Sequence, residues 1–132
     1  MIKTNTLKEK LKNNELVLGT WSSTSSANVV NVLGTTNLDF VVIDLEHASM
    51  SYETVENMVR AAEATQISPI VRVGDDNEQT ILRALETGPR SIMVPHVDSA
   101  VKAKKIVQSC KYFPEGTRGL SPYTRIHSFS HV

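Results

Sequence analysis

Short uninterrupted apolar runs recur along this chain, and the segments between them space their apolar residues three and four apart. The runs are LVLGTW (16–21), FVVIDL (40–45), PIVRV (69–73) and SIMVP (91–95). Runs of this kind suit strands covered on both faces, as in a parallel sheet. The intervening segments read as helices. In the clearest of them, Val55, Met58, Val59 and Ala62 fall at i, i+3, i+4 and i+7 and share one face. A helix over 27–33 follows a Ser-rich turn and stops at Gly34, which suits a left-handed end. In DDNEQTILRALETGP (75–89), Asp76 is placed to cap, Gln79 sits three residues on, and Gly88-Pro89 closes the helix. A later helix carries Ala103, Ile106, Val107 and Cys110 along one stripe with its lysines outward. Ahead of the first strand, TLKEKLK (6–12) starts a short helix with Thr6 and Glu9 as a capping box.

These units, repeating at intervals of roughly 20 to 30 residues, predict an α/β fold with four parallel strands and four to five helices. One domain is expected over 1–132, with 112–132 an irregular loop or tail rather than a fifth unit, because Pro, Gly and Ser break its rhythm. Two architectures fit: an open doubly wound sheet, or part of a (β/α)8 barrel. Both gather ligands at the C-terminal ends of their strands.

Charge falls at those ends. Arg72 interrupts an apolar strand, where a guanidinium needs a partner or a wet cavity. Its fixed fork of donors suits a carboxylate or an oxyanion, and a structural ion pair with Asp44 on the neighbouring strand is the alternative. Asp44 and Glu46 share one face by the period-2 rule, and His47 begins the loop beyond them. A carboxylate beside an imidazole fixes its tautomer and raises its basicity, which suits a general base near neutral pH. Trp21 ends the first strand as pocket wall or core, and His96 lies on the rim without an evident partner. His127 and His131 are four apart, but Ser and Phe between them disfavour the helix a metal pair would need. No metal ligand set is predicted in this chain.

Composition narrows the class without naming a function. Lys+Arg and Asp+Glu balance at 14 each, so no basic field is available to attract nucleic acid or an anionic membrane. No apolar run is long enough to span a bilayer, and MIKTNTLKEKLK lacks the apolar centre of a secretory signal. With Cys110 as the single cysteine, a reducing cytoplasm is the expected setting, and the residue reads as inert core.

GTWSS, DFVVIDLEHAS, PIVRVGD, ILRALETG, SIMVPHVDSA and YFPEGTRGLS stand in an order and spacing that resemble the HpcH/HpaI aldolases, from about Leu16 to Thr124. The resemblance implies the N-terminal half of a TIM (β/α)8 barrel. It also implies a metal-dependent (class II) lyase that cleaves a 4-hydroxy-2-oxo acid to pyruvate or a related 2-oxo acid plus an aldehyde. His47 matches the general base for the hydroxyl proton, Arg72 the arginine that stabilises the enolate-like oxygen, and Asp44 an acid beside that histidine. Trp21 matches a pocket tryptophan. Glu86 falls where the family often carries an Asp that reaches a neighbouring subunit's site. The full-length form is accordingly expected to be a homo-oligomer acting on a small 2-oxo acid, without nucleic-acid or membrane partners. The implied cofactor is a divalent metal (Mg, Mn or Co). Its ligands, a Glu at a fifth strand and an Asp at a sixth, are expected beyond Val132. Activity is therefore expected only together with the C-terminal half, and a non-catalytic half-barrel that associates with a partner chain is the competing reading.

Overall fold

The computed structural model describes residues 4–127 and 129. Helix α1 (Thr6–Lys12) precedes four strand–helix units: β1 (Gly19–Ser22), α2 (Ala27–Gly34), β2 (Phe40–Asp44), α3 (Tyr52–Thr65), β3 (Ser68–Arg72), α4 (Glu78–Glu86), β4 (Ser91–Met93) and α5 (Ala100–Cys110). The strands form one parallel sheet in the order β1-β2-β3-β4. A doubly wound sheet reverses its strand order at a switch point, whereas this order never reverses. The sheet is an arc of a barrel.

The core lies between the outer face of the arc and the helices. Val41 and Ile43 of β2 and Val71 of β3 meet Val55, Met58, Val59 and Ala62 of α3, all fully buried. A smaller cluster joins Ile81 and Leu85 of α4 to Ile106 of α5. The inner face is less covered than continuous apolar strands suggest: Phe40, Ile70 and Met93 are half-buried and Trp21 is exposed. Large exposed apolar side chains also concentrate at the two flanks. Leu16, Leu18, Trp21, Val29 and Val32 lie on the β1–α2 side, and Val97, Val101 and Val107 on the β4–α5 side. None is found on α3 or α4.

Several local expectations change. The α1 cap is Asn5 rather than Thr6, because the Asn5 side chain accepts from Lys8 N at 3.0 Å while its amide donates to Arg90 O and Ser91 Oγ, both at 3.1 Å. Asn77, not Asp76, caps α4 and accepts from Gln79 N at 2.8 Å; Asp76 faces Lys102 instead. Gly34 sits inside α2 and needs no left-handed end. A Cβ there would lie 1.9 Å from Thr65 Oγ1, so the glycine allows α2 and α3 to approach closely. Gly88 does adopt positive φ (+104°) behind α4, as its position predicts. On α5, Ile106 and Ser109 are buried and Val107 is exposed, which turns the predicted stripe by one residue.

Helix α1 lies across the N-terminal ends of the strands. Besides the Asn5 bonds, Thr6 Oγ1 is 3.5 Å from Ser68 Oγ, and Lys10 Nζ reaches Asp39 Oδ1 at 2.6 Å. Asp39 also accepts from Leu18 N at 2.8 Å. At the opposite rim, beyond the strand C-termini, the side chains of His47 and His96 are exposed, and no described helix lies across it. Beyond α5 the chain folds back: Arg125 donates to Thr87 O at 2.9 Å and to Glu63 Oε2 at 2.5 Å. No helix of the described residues is long and apolar enough to cross a membrane.

Candidate active site

The parallel register aligns Asp44 of β2 with Arg72 of β3, and Arg72 with Met93 of β4. Alternation then points Asp44 and Arg72 to the same, inner face at the open rim. The two meet in a fork: Arg72 Nε donates to Asp44 Oδ1 at 2.9 Å and Nη2 to Oδ2 at 2.5 Å. Asp44 Oδ1 also accepts the backbone N–H groups of Glu46 (2.9 Å) and His47 (3.2 Å), which folds the chain back over the strand end. The Asp44 side chain is 4% exposed. Its hydrogen bonds from Arg72 hold the carboxyl below the ordinary value of 3.8; burial opposes this, and the two backbone N–H groups add to it. Asp44 in turn keeps the Arg72 guanidinium firmly charged.

The third guanidinium nitrogen is engaged as well. Arg72 Nη1 lies 3.0 Å from Glu46 Oε2, and the guanidinium carbon stands 4.5 Å from the centroid of the Trp21 ring. Of five guanidinium N–H groups, one on Nε and one on Nη2 hydrogen-bond Asp44, while the Nη1 contact with Glu46 is an ion pair, so donors remain on the guanidinium. Glu46 Oε1 faces two imidazoles: His96 Nε2 at 3.1 Å and His47 Nε2 at 3.8 Å. The rings of His47 and His96 are 71% and 80% exposed, so both are open to a ligand at the mouth.

Asp44, His47, Arg72 and Trp21 thus come together, with one change in their partners. Asp44 binds the backbone of His47, not its ring, and Glu46 is the carboxylate that the imidazoles meet. The two readings of Arg72 are not exclusive, since the ion pair with Asp44 forms and donors remain. Glu86 does not join this group within the chain. It ends α4, near the rim closed by α1, and its Oε1 accepts from Arg118 Nη2 at 2.7 Å. Glu86 Oε2 and Arg118 Nε are buried without a hydrogen-bond partner. Sequence reasoning missed the Glu46–His96 contact. The available signal was that Glu46 shares a face with Asp44 while His96 follows the next strand end but one.

Among the described residues, no three His, Cys, Asp or Glu side chains converge closely enough to hold a metal ion. A metal site therefore does not fit these residues. His127 Nε2 meets Tyr112 Oη at 2.8 Å, and His131 lies outside the described residues.

An arc of parallel strands with paired charges at its C-terminal rim defines one part of a (β/α)8 barrel protein. The family model for HpcH/HpaI aldolase/citrate lyase matches residues 17–128, and the chain belongs to that family. It is 35% identical to a 2-dehydro-3,6-dideoxy-6-sulfogluconate aldolase of Pseudomonas putida, over 87% of this chain and 45% of that one. It is 32% identical to a hydroxypyruvate/pyruvate aldolase of Roseobacter denitrificans, over 88% and 45%. An HpcH/HpaI family protein of Burkholderia cenocepacia superposes with a TM-score of 0.90 at 30% identity, covering 96% of this chain and 52% of that one. The citrate synthase SbnG superposes at 0.82 with 40% identity, over 88% and 47%. The chain thus spans somewhat under half the length of the curated relatives it matches.

Proposed function

We propose that this chain carries the base and oxyanion groups of a 2-oxo acid aldolase, and that activity arises when the rest of the barrel is present. The observation that carries the proposal is the guanidinium of Arg72, hydrogen-bonded by Asp44, ion-paired with Glu46 and keeping further N–H donors, while His47 faces the same Glu46. Cleaving a 4-hydroxy-2-oxo acid requires a base on the hydroxyl and positive charge where the enolate oxygen develops. His47, at the mouth, takes the hydroxyl proton. The carbon–carbon bond then breaks toward the carbonyl, and the free N–H groups of Arg72 receive the growing negative charge. Because Asp44 and Glu46 hold the guanidinium in place beforehand, little reorganisation is needed as the charge appears. Trp21 supports the other face of the guanidinium and walls the pocket. Any divalent cation used by the completed barrel would take its ligands from outside the described residues, so no step above passes through one. Glu86 is proposed to act only across a subunit contact, because Arg118 occupies it within the chain.

The test is to join the chain to the second half of a family barrel and assay pyruvate release from 4-hydroxy-2-oxo acids with Mg or Mn present. Activity that disappears in His47→Ala and in Arg72→Ala is the expected result. Undiminished turnover in either variant overturns the proposed roles.

A further inference from the structure

We propose that His96, oriented by Glu46, is a second proton-transfer group of this mouth and returns a proton to the enolate carbon after His47 has taken one from the hydroxyl. This inference rests on the aldolase reading above. Its starting point is an asymmetry between the two rings. His96 Nε2 lies within hydrogen-bond reach of Glu46 Oε1 at 3.1 Å, whereas His47 Nε2, at 3.8 Å from the same oxygen, does not. A carboxylate on one ring nitrogen keeps a proton there and leaves the other nitrogen as a strengthened base. His96 therefore has the carboxylate–imidazole arrangement that Asp44 and His47 do not form.

The His96 main chain is anchored as well. His96 adopts φ +55°, a left-handed conformation uncommon for a residue with a side chain. Its carbonyl accepts from Lys102 Nζ at 2.9 Å, and Lys102 is steadied by Asp76 at 3.8 Å. Glu46 is fixed from its other oxygen by Arg72, at 3.0 Å. A continuous chain Arg72–Glu46–His96 thus links the proposed oxyanion site to an imidazole at the mouth. The charged groups around that ring are Glu46 in contact, Arg72 beyond it, and Lys102 with Asp76 behind the His96 backbone.

The reaction has a second proton transfer that such a group would serve. When the carbon–carbon bond breaks, the hydroxyl proton passes to His47 and the bonding pair enters the enolate. Pyruvate forms only when a proton reaches the enolate carbon. His96 in its protonated form delivers that proton from Nδ1, and both rings then re-equilibrate with water, so no net proton is gained or lost.

Imidazole ¹⁵N NMR on the 132-residue chain, from about pH 5 to 8, tests the pairing. The neutral His96 ring is expected to carry its proton on Nε2. Glu46→Gln is expected to remove that tautomer preference from His96 while leaving the His47 ring signals in place. A neutral ring protonated on Nδ1, which the unmodified chain alone reports, overturns the proposal, as does a His96 tautomer that Glu46→Gln leaves unchanged. In the completed barrel, His96→Gln is expected to slow deuterium exchange into the pyruvate methyl about 10²-fold more than it slows aldehyde release. Equal effects on both steps, or none, overturn this role alone. A completed barrel that releases no aldehyde overturns the aldolase reading and this role with it.

Discussion

Replacing Asp44 probes the whole rim at once, because one carboxylate organises four donors. Asp44→Ala removes the acceptor for Arg72 Nε and Nη2 and for the backbone N–H groups of Glu46 and His47. The guanidinium keeps Glu46 and the face of Trp21, so its charge is not stranded. The two backbone N–H groups lose their acceptor in a part-buried turn that water reaches from the mouth. Each then costs near the low end of the usual penalty, and the total is about 2–3 kcal/mol. Asp44→Asn keeps one oxygen that can accept both N–H groups and should cost about half as much. Urea denaturation of the 132-residue chain, with the slope checked for constancy, measures both values. The pH dependence adds a sign. The folded carboxyl is held below its ordinary 3.8, so its stabilisation is complete above that value and disappears as pH falls through the lowered folded value. The gap between the natural chain and Asp44→Asn should therefore narrow below about pH 4. An Asp44→Ala chain within about 0.5 kcal/mol of the original would refute this account of the turn.

Other perturbations separate site from scaffold. In the completed barrel, Arg72→Lys should lower kcat about 10²-fold, because an ammonium cannot replace the fork, and steady-state assays of pyruvate release read this directly. Gly34→Ala should destabilise the chain by about 1–2 kcal/mol, overpacking against Thr65 being partly offset by better helix propensity. Adding Thr65→Ala should restore most of that loss in the same denaturation assay. Arg118→Ala leaves Glu86 without its ion-pair partner and should cost about 2 kcal/mol while leaving the His47 and His96 NMR signals in place. Burial raises the Cys110 thiol above 9.0, so thiol labelling at pH 8 should run roughly tenfold slower in the folded chain than in urea.

How much of this was legible in the sequence depended on the range of the contact responsible. The strands and α3 were legible because their signals are local: uninterrupted apolar runs, and one face built from Val55, Met58, Val59 and Ala62. The Asp44–Arg72 fork was legible as an option, since adjacent parallel strands ending in opposite charges leave little other choice. The caps were less so. Asn5 and Asn77 are preferred over Thr6 and Asp76 by partners distant in sequence, Arg90 and Ser91 for the first and the competing Lys102 for the second. Gly34 looked like a stop because its neighbour across the helix interface, Thr65, is 31 positions away. The Glu46–His96 contact depended on the register of three strands at once, and no local pattern encodes that.

Trp21 belongs to two neighbourhoods. It lies on β1, the outermost strand of the arc, and is half exposed, yet the same ring stacks on the guanidinium that would receive charge in the reaction. A polypeptide that closed that side of the arc against the ring would limit how far Arg72 can tilt. Closure of the barrel and the setting of that guanidinium would then be mechanically coupled through one indole.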